Sequence, residues 1–145
     1  MEAKEMWESF IKKNNLNETN YQAWAFGGDT NKLVALVLQG IKTSTASAFA
    51  LYEIEEEQLP RVGDYSVILD NCNEAKCIIQ TTKVYIVPFD EVTESHAYKE
   101  GEGDRSLAYW QKVHEEFFRD CFCEVEVTFS YKMNVVCEEF KVVYQ

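Results

Sequence analysis

Proline and glycine are scarce in this chain, at 2 and 6 of 145 residues. With 46% hydrophobic and 14% aromatic residues, that scarcity excludes collagenous, low-complexity and disordered chains. Positive charge is short as well: 14 Lys+Arg stand against 25 Asp+Glu, a formal net charge of −11. Duplex binding depends on cations that neutralise phosphates, so duplex DNA is not an expected partner. A small ligand, or a short RNA in a local groove, is. No long apolar run exists. The longest, around Leu33 to Leu38, falls well short of the roughly 20 residues of a membrane span. No apolar stretch follows the charged opening Met-Glu-Ala-Lys-Glu either, so no secretory leader and a cytoplasmic location are expected. Five cysteines cannot all pair, which suits a reducing compartment. Cys121-x-Cys123 with Cys137 and His114 lacks the gap of two to four residues usual in zinc sites. Glycine-rich phosphate loops are missing too, so neither a metal nor another cofactor is expected.

What is present reads as one domain of mixed elements over residues 1–145, with an N-terminal helical extension at about 1–22. Met6, Trp7, Phe10 and Ile11 recur at helical spacing within Ala3 to Lys13. A second helix begins near Asp29 or Thr30, carries Leu33, Leu36 and Val37, and stops at Gly40. Tyr65 to Leu69 and Cys77 to Val87 read as the strands of a hairpin. Phe89 to Lys99 reads as a short helix, and Ser106 to Asp120 as a strongly amphipathic one that packs through Trp110, Phe117 and Phe118. Val125 to Tyr131 and Val135 to Tyr144 alternate as two further strands. The mixture points to an α+β domain with a mainly antiparallel sheet, closed or nearly closed as a barrel of about five strands.

Two segments carry chemistry. In Gly40-Ile-Lys42-Thr43-Ser44-Thr45, a lysine stands beside hydroxyls just after a helix, and a desolvated lysine can serve as base to an alcohol. A lysine helping a helix C-terminus is the ordinary alternative. Glu100-Gly-Glu102-Gly-Asp104 imitates the start of a calcium loop, but Arg105 stands where the turn glycine belongs and Gln111 where the bidentate glutamate belongs. Its clustered carboxylates are instead candidates for acid–base work, or a solvated acidic loop. His114, on the apolar face of its helix, reads as a packing residue.

Taken in order, Trp24-Ala-Phe26-Gly27, Gly40-x-Lys42-Thr-x-Thr45, Leu59-Pro60-x-Val-Gly63-Asp64, Pro88-Phe89-Asp-Glu-Val, His96-Ala97, Glu100-Gly-Glu-Gly-Asp104, Trp110-x-x-x-His114 and Val136-Cys-Glu-x-Phe140 resemble the ASCH domain family, in its longer bacterial branch. The resemblance spans about Trp24 to Tyr144. It implies a PUA-like, mainly antiparallel β-barrel flanked by helices, with a cleft for a nucleoside or RNA-derived ligand. One branch of the family deacylates N4-acetylcytidine, using a Lys, a Thr three residues on, and a Glu three residues after a His-Ala pair. These carry over to Lys42 as general base, Thr45 as nucleophile and Glu100 as the group that moves a proton to the leaving amine. Trp24 and Phe26 would form an apolar wall for a base, and Thr43, Glu102 and Asp104 would line the ligand site. An Arg following the Lys motif and one at Gln111, both frequent in the family, are absent, so phosphate contacts are not carried over. An RNA-binding module without catalysis and a ribonuclease are the alternatives; the first would use a basic stripe, for which Lys42, Lys76, Lys83 and Lys132 are the candidates, and the second the same groove with an activated 2′-hydroxyl. As a cleft residue, Lys42 is expected to contribute little to the core.

Overall fold

The computed structural model describes residues 1–17 and 20–145. The expected N-terminal extension therefore includes two positions, 18 and 19, outside the described residues. Its helix, α1 (Ala3–Lys13), buries Met6, Trp7 and Phe10, the apolar positions that its spacing singles out. They pack on the side chains of Val67 and Ile78.

The chain continues through β1 (Gln22–Ala25), α2 (Thr30–Leu38), β2 (Ser44–Ala48), α3 (Phe49–Ile54), β3 (Tyr65–Leu69), β4 (Ala75–Pro88), α4 (Glu94–Glu100), α5 (Leu107–Phe122) and β5 (Asn134–Tyr144). The five strands form one sheet in the order β1-β3-β4-β5-β2. Only the β1–β3 pairing is parallel. The sheet curls into a half-barrel flanked by helices, the α+β, PUA-like architecture expected. Curling has a local cause. The 14-residue β4 slips register against β5 at Ile78/Ile79 and Thr81/Lys83, and against β3 at Ile68/Leu69. Each slip bends and twists the ladder. The curl brings the edge strands β1 and β2 to face each other across a cavity.

The two faces of the sheet hold different cores. Phe26, Val34, Val37, Ile68, Ile79 and Phe140 cluster on one. On the other, Trp110 and Phe118 of α5 pack with Phe89, Val135 and Cys137.

Three expectations need correction. Val125 to Tyr131 is not a strand. Val125, Val127 and Phe129 do alternate inward, but against the core around Phe89 and Phe118 rather than along a ladder. The alternation recorded the burial of an extended segment. Phe89 to Lys99 is two pieces, a 3-10 turn at Phe89–Glu91 and then α4, because Val92 and Thr93 are extended. Finally, β1, β2 and α3 are elements that the sequence pattern did not single out.

Candidate functional site

Three chain segments converge on the Glu100 carboxyl. The first leaves α2, where the backbone N–H groups of Ile41 and Lys42 both reach the Leu36 carbonyl and Gly40 takes φ +76°. That left-handed turn directs Lys42 inward, and the Thr43 N–H then bonds the Lys99 carbonyl at 2.7 Å. The second segment is α4. Thr93 caps its start by accepting from the His96 N–H at 3.1 Å, and Gly101 ends it at φ +74°. A Cβ at Gly101 would lie 2.8 Å from the Ile41 carbonyl oxygen, so only glycine lets the ends of α2 and α4 approach this closely. The third is α5, capped by Ser106, on which Trp110 and His114 lie one turn apart with rings stacked at 4.1 Å.

Glu100 is 2% exposed and both of its oxygens are engaged. Oε1 receives the Lys42 ammonium at 3.1 Å and faces His114 Nε2 at 3.4 Å. Oε2 accepts from His96 Nε2 at 2.7 Å and from the Trp110 indole. His96 in turn presents Nδ1 to the hydroxyls of Ser44, at 3.0 Å, and Tyr85, at 3.2 Å. Lys42, itself 2% exposed, also donates to Glu102 at 3.3 Å and lies 5.3 Å over the Phe26 ring. A buried lysine with two carboxylates is not a peripheral cleft residue, and the expectation that it contributes little to the core is corrected accordingly.

Electrostatics follow from the burial. Desolvation would raise the Glu100 carboxyl, but Lys42 and His114 overcome that penalty and hold it well below the ordinary range. Burial would likewise lower the His114 imidazole; Glu100 above all, then the Trp110 carbonyl, raise it. Glu100, Glu102 and His114 present ligand atoms close enough for a metal ion. The Lys42 ammonium already lies among these atoms, bonded to both carboxylates.

This cluster floors a cleft of about 460 Å³ lined by Phe26, Lys42, Thr45, Glu100, Glu102 and His114, among others. Trp24 lines the adjoining cavity between β1 and β2, its ring edge-on to Phe26 at 4.9 Å. Two residues face elsewhere. Thr43 turns toward the Lys99 carbonyl, and the exposed Asp104 accepts from the Ser106 N–H in the turn before α5. His96, Trp110 and His114 were not assigned to the site from sequence. The signal was available in the spacing: His96/Glu100 and Trp110/His114 are each one helical turn apart, which places each pair on one face.

The ASCH domain family model matches residues 22–144. Protein EF3133 from Enterococcus faecalis V583 has a solved structure that superposes with a TM-score of 0.91, at 38% identity over 97% of this chain and 87% of that one. An ASCH domain from Lactobacillus crispatus JV V101 superposes equally well, with a TM-score of 0.91, at 32% identity over 98% of this chain and 94% of its own. No curated protein matches the sequence. Motif order, the curled half-barrel and these superpositions agree: the chain belongs to the ASCH domain family.

Proposed function

We propose that the cleft binds a nucleoside-sized ligand and hydrolyses an amide that the ligand carries, with N4-acetylcytidine as the reference substrate. One observation carries this reading: Lys42 Nζ is held inside the cleft by Glu100 and Glu102, on a wall to which Thr45 also belongs. Thr45 Oγ attacks the acyl carbon, and its proton passes to Lys42. Collapse of the tetrahedral adduct breaks the carbon–nitrogen bond, and Lys42 returns the proton to the departing exocyclic amine. Water then cleaves the acyl-threonine ester and releases the acid. Lys42 must enter the cycle uncharged. Glu102, 18% exposed and 3.3 Å away, is the carboxylate that orients its Nζ toward the ligand. Glu100, for which the resemblance implied proton transfer, is given a different part. With four partners on its two oxygens it positions Lys42 and His114.

A small ligand also agrees with the remaining cations of the expected stripe. Lys76 pairs with Asp70, Lys83 with Glu139 and Lys132 with Asp90, so none extends a basic track from Lys42. Loss of absorbance as purified protein deacylates N4-acetylcytidine tests the reading. Thr45→Val keeps the volume and removes the hydroxyl, and it should abolish turnover with an unchanged melting temperature. Wild-type protein that turns over no N-acylated nucleoside, or a Thr45→Val protein that turns over as fast as wild type, would reject it.

A further inference from the structure

The larger cavity, about 730 Å³ between β1 and β2, is not used by the chemistry above. Its size is that of a small-molecule site. It meets the Lys42 cleft at Phe26, Gly27, Thr45, Ala46 and Phe117. Trp24 and Phe117 give it apolar walls, and Glu138 projects into it from β5. Glu138 is the register partner of Thr45. Directly opposed residues of an antiparallel pair share a face with Cβ atoms about 5 Å apart, so both side chains project from the same face of the sheet, and both line this cavity.

We propose that this cavity holds the ring of the ligand whose amide reaches Thr45, with the Glu138 carboxyl hydrogen-bonding the ring edge that bears the exocyclic nitrogen. The inference rests on the hydrolase reading and goes beyond it by assigning the place of the ring and the residue, Glu138, that reads its edge.

Glu138 is suited to that edge because nothing neutralises it. Among the described residues its carboxyl receives one hydrogen bond, from Thr81 Oγ1 at 3.3 Å, and has no cation within 4 Å. The other polar groups facing the cavity are Gln22 from β1, Thr45 and Ser47 from β2, Tyr52 from α3, Glu57, Gln58 and Asp64 from the loop, Ser66 from β3 and Cys121 from α5. None carries positive charge. Burial pushes the carboxyl up, the Thr81 bond pulls it back and Asp64 adds to the rise, leaving it at about 7. As the acid, it offers one donor and one acceptor side by side, the complement of a ring nitrogen next to an amide N–H. As the carboxylate, it offers acceptors alone and repels the ring nitrogen.

Calorimetric titration of N4-acetylcytidine into Thr45→Val protein, which holds the ligand uncleaved, tests this at pH 6 and pH 8. A group titrating at about 7 predicts roughly ten-fold weaker binding at pH 8. Glu138→Gln, added to that background, should keep the pH 6 affinity and lose the pH dependence, because its amide also pairs a donor with an acceptor. Glu138→Leu should weaken binding at pH 6 ten-fold or more. The ring-site proposal is overturned by unweakened binding to Glu138→Leu, by an undiminished pH dependence in Glu138→Gln, which would assign that dependence to His114, or by no binding. Turnover by wild-type protein reports separately on the hydrolase reading. Turnover together with Glu138-independent binding defeats the ring site alone, whereas Glu138-dependent binding without turnover upholds the ring site and defeats the hydrolase.

Discussion

At the scale of single residues, the buried charges of the site stabilise one another and cannot be removed one at a time. Lys42→Ala leaves Glu100 buried with one cation fewer, and breaking a buried pair this way costs about 3 to 5 kcal/mol. Urea denaturation of Lys42→Ala should show a loss of that size, so its inactivity would confound folding with chemistry; a midpoint unchanged from wild type would contradict the pairing. Glu102→Gln is the cleaner probe. Its side chain is 18% exposed, so little stability should be lost, while turnover should fall if it orients the lysine toward the ligand. The sequence made Lys42, Thr45, Glu100 and Glu102 legible because their spacing is local or matches a family pattern. For His114 the spacing shows only that it shares a face with Trp110, since a histidine on an apolar helix face looks the same whether it packs or pairs with a carboxylate from another element.

Among elements, what was legible depended on whether an element owes its existence to its own pattern. The helices α1 and α5 bury stripes that their spacing displays, and the β3–β4 hairpin alternates across a turn. By contrast β2 reads Ser-Thr-Ala-Ser-Ala, with no apolar period, and is a strand because β5 supplies its ladder. The four-residue β1 likewise depends on β3. Tertiary pairing outweighs propensity in both. Element ends are equally specific. Gly101→Ala would force a side chain into a left-handed residue and onto the Ile41 backbone, and should cost more than the 1 to 3 kcal/mol or so typical of backbone strain alone. Thr93→Ala, which removes only the cap of α4, should cost about 1 kcal/mol. Thermal melts of the two variants should rank in that order, and a Gly101→Ala protein as stable as wild type would mean that the α2–α4 junction is slack.

For the whole molecule, three shifted groups shape the pH profile of stability, Glu100 and His114 buried and Glu138 partly buried. Glu100 is held low, so its contribution exists above the unfolded carboxyl range and is lost as pH falls through its folded value. His114 is held high; its contribution is complete below the unfolded value of about 6.5 and is lost as pH rises through the folded one. Glu138 is pushed up to about 7, so the folded state binds the extra proton and stability falls between the unfolded value of about 4.3 and pH 7. The last two act in the same direction, and the urea midpoint should decline from about pH 6 to pH 8. Glu138→Gln should recover part of that decline, on the order of 1 kcal/mol. A midpoint that rises toward pH 8 would contradict these assignments. The net charge of −11 adds a prediction about partners: generic RNA should bind weakly and with a shallow salt dependence in a filter assay. No helix among the described residues is long and apolar enough to cross a membrane.

The strand order has a consequence for how the protein is made. An edge strand near the start of the chain, β2, is held by the final strand, and Ser44 meets the Glu138 carbonyl 94 residues downstream. At roughly 5 to 20 residues per second, a ribosome takes about 5 to 20 s to cover that separation. Throughout that interval the nascent chain carries β2 without its neighbour, and for the first 58 residues of it Lys42 without Glu100. A segment of serine, threonine and alanine can wait exposed with little tendency to stick. The β2 edge of the half-barrel is therefore completed only once β5 has been made, whereas every residue of the charged floor precedes β5.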